Sequence, residues 1–117
     1  MPRESVLKPI DPAILDSHGD YKKYGFEPKS RWHTHGLQLR IDDNFKIFCV
    51  PHLTCVDFSI ITTKGKIVKN GFVTKIDGQD SFKNVIRRVA EYLSETGTKY
   101  TYASINLTSA TGVSRVN

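Results

Sequence analysis

Residues 36–51 read Gly36-Leu37-Gln38-Leu39-Arg40-Ile41-Asp42-Asp43-Asn44-Phe45-Lys46-Ile47-Phe48-Cys49-Val50-Pro51. Leu37, Leu39 and Ile41 alternate with Gln38 and Arg40, the period of a strand that buries one face. Phe45, Ile47 and Cys49 then alternate with Lys46, Phe48 and Val50. Asp42-Asp43-Asn44 supplies the turn, because short polar side chains bond their own backbone. Two alternating runs about a short polar turn make a hairpin. Pro51 ends the second strand, since it has no amide to give to a ladder.

Working outward, Val56, Phe58 and Ile60 alternate with Asp57, Ser59 and Ile61 and predict a third strand. Thr63-Lys64-Gly65-Lys66 is a turn, and β-formers follow from Ile67 to Ile76. Asn70-Gly71 inside that run is a strong hairpin signal, so two short strands turning at Gly71 are expected in preference to one bulged strand. Asp80 or Ser81 caps a helix by offering a side-chain oxygen to its first amides. Phe82, Val85, Ile86, Val89, Ala90 and Leu93 recur at steps of three and four and form one apolar stripe, which must pack on the sheet. Gly97 is a natural stop. Residues 98–107 are rich in β-branched and aromatic side chains and predict a last strand, with Tyr100 and Tyr102 facing outward. Short connections favour antiparallel pairing. The expected fold is α+β: a single curved antiparallel sheet of four to six strands with one amphipathic helix on one face.

The 117 residues suit one domain. Four of the five prolines fall before residue 36, where no apolar period persists. Residues 1–35 are therefore expected to form an irregular arm, 36–107 the body, and 108–117 a flexible tail. No apolar run is long enough to span a membrane, and the N-terminus lacks the apolar stretch of a signal peptide. A cytoplasmic protein making no membrane contact is expected, with Cys49 and Cys55 as free thiols. No CxxC is present, so a cysteine-rich zinc site has no support.

The net charge is +5, and residues 21–40 alone carry +4. Lys22, Lys23, Lys29, Arg31 and Arg40 are interleaved there with Tyr24, Phe26 and Trp32, the only tryptophan. Cations neutralise phosphates and planar rings accept unpaired bases, which is what single-stranded nucleic acid requires of a protein. These eight residues are the expected nucleic-acid-binding set, acting with the open face of the sheet on single-stranded or structured DNA or RNA. Rings in such a segment can equally anchor it to the body. Lys64, Lys66, Lys69 and Lys75 add positive charge around the later turns, where lysines also guard sheet edges.

His33-Thr34-His35 offers a second chemistry. Two residues apart on a strand, both imidazoles face one way and could hold one metal ion. With Tyr92 on the helix, this resembles at two short spots the rolling-circle and relaxase nucleases, in which a histidine–hydrophobic–histidine strand binds metal and a helix tyrosine attacks the phosphodiester. Thr34 stands where those enzymes carry a large hydrophobe, and Tyr92 lacks their neighbouring lysine, so membership does not follow. There is no G-x-S-x-G elbow and no glycine-rich phosphate loop before the helix. No catalytic residue and no cofactor is assigned. The alternatives to a nucleic-acid-binding protein are a metal-dependent phosphodiesterase or nuclease using His33 and His35, and a viral or mobile-element module that engages another protein. An exposed edge strand could also pair two copies across a two-fold axis into a homodimer.

Overall fold

The computed structural model describes residues 10–95 and residue 105. In chain order the elements are α1 (Pro12–His18), a short 3-10 helix (Tyr21–Tyr24), β1 (Glu27–Arg31), β2 (Thr34–Arg40), β3 (Phe45–Pro51), β4 (Cys55–Thr62), β5 (Ile67–Thr74) and α2 (Ser81–Ser94). The strands form one antiparallel five-stranded sheet in the order β1-β2-β3-β4-β5, and α2 packs on one face of it. The fold is α+β, as the alternation and the helical stripe require.

The register explains the core. Leu37 pairs with Cys49 and Leu39 with Ile47, and Cys49 and Ile47 pair in turn with Phe58 and Ile60. Paired residues share a face, so these side chains line the surface beneath α2. All six apolar residues of the helix stripe are buried against it. Asp80 is the N-cap, its Oδ1 accepting from the amides of Phe82 and Lys83 at 3.0 and 3.3 Å. Cys49 and Cys55 are both free.

Two expectations are corrected. First, residues 10–35 are not an irregular arm. Asp11 caps α1 with Pro12 in the first helical position, where its missing amide does no harm. Asp20 caps the 3-10 helix, and Gly25 closes it in a left-handed conformation. The sheet then begins at Glu27. Pro28 is tolerated because β1 is an edge strand. Such short, individually capped elements have no period long enough to read.

Second, β5 runs straight through Asn70-Gly71, with Asn70 opposite Ser59 and Gly71 opposite Phe58. Gly71 is needed for close approach and not for a turn: a Cβ there would come within 2.7 Å of the Phe58 ring. The irregularity comes earlier in β5: Ile60 pairs with Lys69 and Ile61 with Ile67, so Val68 is the extra residue of a bulge. The expected strand at 98–107 lies outside the described residues except for Ile105, which is buried in the core and helical. Gly97, Tyr100, Tyr102 and the expected tail also lie outside them.

No helix among the described residues is long and apolar enough to cross a membrane.

Candidate nucleic-acid interface

The face of the sheet turned away from α2, here called the far face, is set by the same register. Lys29 pairs with Gly36, Arg31 with Thr34, Gln38 with Phe48, and Arg40 with Lys46. Phe48 pairs onward with Ser59, which pairs with Asn70. Ser59 donates its hydroxyl to Asn70 Oδ1 at 2.7 Å. Phe48 is buried although it lies on this face. Its ring lies close over Gly36, where a Cβ would meet it at 2.6 Å. The edge of the ring meets Trp32, centroids 5.5 Å apart and planes at 89°.

Trp32 and His33 are the two residues of the tight turn between β1 and β2. Both have left-handed backbone, φ 50° and 59°. Two-residue hairpin turns of this hand favour Asn-Gly, because a bulky L side chain is strained there. The turn carries that strain and presents an indole that is 49% exposed. The indole thus keeps a T-shaped contact with Phe48 while about half of the residue stays exposed. The Arg31 guanidinium sits 5.9 Å from the indole centroid. Its Nε donates to Gln38 Oε1 at 2.9 Å, which holds the side chain over the far face. Lys29 lies on the same face two residues earlier.

Arg40 shares the far face at the opposite end of β2, about 20 Å away by strand rise. Its Nη2 is 2.6 Å from Asp43 Oδ1, and its Nε donates to the Asp42 carbonyl. Lys46, opposite Arg40, belongs to this face too. Its only signal in the sequence is a place in the alternation with Ile47.

The other members of the expected set lie elsewhere. Tyr24 and Phe26 are buried, so neither ring is free to stack on a base. Phe26 packs on Phe82 at the start of α2, centroids 5.6 Å apart, and Tyr21 meets the same ring at 6.1 Å. These aromatics anchor the N-terminal elements to the helix. Lys22 and Lys23 are exposed on the 3-10 helix, which contacts α2 and so lies on the other layer. The structure therefore gathers Lys29, Arg31, Trp32 and Arg40 on one face and separates Lys22 and Lys23 from them.

The histidine pair is not two residues of one strand. His33 occupies the left-handed turn, while His35 is in β2 with its Nδ1 3.1 Å from Ser30 Oγ. Strand alternation therefore does not relate the two rings. Tyr92 on α2 lies beside β5, its ring 5.2 Å from Lys69 Nζ. The span from β2 to β5 is about 14 Å by strand spacing, so Tyr92 is remote from His35. Among the described residues no three His, Cys, Asp or Glu side chains are grouped to hold a metal ion.

The described histidines away from the hairpin, His18 and His52, each make side-chain hydrogen bonds. His18 is buried, with Nδ1 2.7 Å from Ser81 Oγ and Nε2 bonded to the His52 carbonyl. A carbonyl only accepts, so Nε2 carries a proton. This ring ties α1 to α2 and to the end of β3. His52 Nε2 is 2.9 Å from Asp57 Oδ2 on the surface. Cys55 has its thiol pKa raised, first by burial and then by the charge of Asp57. Burial alone pushes the Cys49 thiol far above its ordinary range. Neither cysteine is tuned as a nucleophile.

Comparison of the chain with known protein families, with characterised proteins and with solved structures returns no match, so the site is read on its own geometry.

Proposed function

We propose that this protein binds single-stranded or structured nucleic acid across the far face of its sheet, with the β1–β2 hairpin as the grip. The observation that carries the reading is Trp32: a large ring held half-exposed on a strained turn, beside Arg31. Strained backbone persists where the surroundings hold it, and it collects at binding sites. In this reading Trp32 stacks on an unpaired base. Lys29 and Arg31 on β1, Arg40 on β2 and Lys46 on β3 neutralise phosphates across the face. Lys22 and Lys23 add only to the general positive field of a chain with net charge +5. Two free thiols suit a reducing cytoplasm, the compartment this reading assigns to the protein.

The test uses the single tryptophan as its own reporter. Titrating the protein with an oligothymidylate at low salt should quench Trp32 fluorescence. The apparent affinity should fall steeply as salt rises, because each neutralised phosphate releases counterions. Replacing Trp32 by alanine should weaken binding by about 1–3 kcal/mol, the contribution of one stacked base. An affinity that ignores salt, or no binding at low salt, would refute the reading.

A further inference from the structure

β5 is an edge of the sheet and pairs only with β4 among the described residues. An edge strand turns alternate amides and carbonyls away from its neighbour, and proteins usually blunt it with charge, proline or a covering element. Here Ile67, Val68 and Phe72 are exposed along β5, and Ile76 just beyond it. Lys69 is the only charged residue between Ile67 and Thr74.

The edge opens onto α2. Between the two lies a groove of about 710 Å³, lined among others by Lys69, Phe72, Asn84, Arg87, Arg88 and Glu91. Among the described residues its ionisable side chains are three cations and one carboxylate, with Arg88 Nε 3.9 Å from Glu91 Oε1. The helix-facing wall is therefore positive, while Phe72 is on the far face, paired with Asp57.

We propose that β5 accepts an extended acidic segment of a partner protein as an added strand. The partner's main chain bonds to the outward amides and carbonyls of β5. Its side chains alternate: carboxylates turn toward Arg87 and Arg88, and apolar groups turn the other way, toward Phe72. A partner segment alternating acidic and apolar residues fits this edge. A second copy of the chain fits it worse. Antiparallel β5 pairing across a two-fold axis would bring two α2 helices side by side and set Arg87 and Arg88 toward their own kind. A nucleic acid would gain little here, since the groove mixes Glu91 with its cations and main-chain donors alternate with acceptors along the edge. The inference is independent of the hairpin reading, because it rests on the opposite edge of the sheet.

The experiment is an NMR titration of the full isotope-labelled chain with a synthetic peptide alternating glutamate and valine. Amide shifts should concentrate in Ile67–Thr74 and around Arg87. The same peptide methylated on alternate amide nitrogens should not bind, nor should its lysine-for-glutamate counterpart. Arg87→Glu with Arg88→Glu, both exposed positions, should weaken the acidic peptide by roughly tenfold or more. Trp32→Ala should leave that affinity unchanged. Shifts at the β1–β2 hairpin only, equal binding of the lysine peptide, indifference to amide methylation, or displacement of the peptide by oligothymidylate would each overturn the proposal. So would a dimeric free protein whose β5 amides are already protected from exchange.

Discussion

The Tyr24 hydroxyl donates to Asp80 Oδ2 at 2.8 Å, while the other oxygen of that carboxylate caps α2. One side chain thus starts the helix and fastens the N-terminal elements to it. The 3-10 helix and the start of α2 meet at this carboxylate.

Removing the two halves of this arrangement should have graded costs. Tyr24→Phe keeps the ring packed and loses one hydrogen bond, which should cost about 1 kcal/mol. Asp80→Ala loses the cap as well as that bond, and should cost about 2–3 kcal/mol. Urea denaturation followed by circular dichroism gives both values. Equal costs would show that the cap contributes nothing beyond the phenol bond.

His18→Ala should be among the most damaging single changes outside the sheet. It opens a buried space and leaves the Ser81 hydroxyl and the His52 carbonyl without their partner. A loss of about 2–4 kcal/mol is expected by denaturation.

The β1–β2 turn predicts a separation of stability from binding. His33→Gly relieves a left-handed residue and should raise stability by about 0.5–1 kcal/mol with oligonucleotide affinity little changed. Trp32→Asn also suits the turn but removes the contact with Phe48, so stability should stay near the parent value while affinity falls by about tenfold. Thermal melts and fluorescence-anisotropy titrations check the two variants side by side. If Trp32→Asn binds as well as the parent, the indole does not stack on a base.

Thiol chemistry should report the two cysteine environments. Raised pKa values mean little thiolate near neutral pH, and hence slow alkylation that speeds up only as pH climbs above the ordinary thiol range. Asp57→Asn removes a like charge, lowers the Cys55 pKa and should make that residue react faster. Cys49 should react only after unfolding. Its folded pKa lies above its unfolded one, so its contribution to stability is complete at neutral pH and is lost as pH rises beyond the ordinary thiol range. Mass spectrometry of iodoacetamide-treated protein over a pH series follows both sites.

The parts that were legible in the sequence are those governed by local periods. The alternations of Leu37–Ile41, Ile47–Cys49 and Val56–Ile60 and the stripe from Phe82 to Leu93 each bury what they promise. The parts that were not legible depend on distant partners. Nothing near Tyr24 or Phe26 says that Asp80 and Phe82 will receive them, so rings that read as stacking faces are anchors. Asn70-Gly71 carries a turn signature, but the glycine serves the Phe58 ring across the ladder. Trp32-His33 has no turn signature at all, which hid both the hairpin and the division of the histidine pair. On the far face, Arg31 and Trp32 were visible as a cation beside a ring. Lys46 and Gln38 join them only through register.

Gly36 beneath Phe48 and Gly71 beneath Phe58 lock the ladder like a key in its slot. Sliding β5 along β4 by a single position would thrust Asn70 or Phe72 against an aromatic ring that tolerates no side chain there. The outer strand therefore holds one alignment, and any chain that joins it inherits a fixed frame.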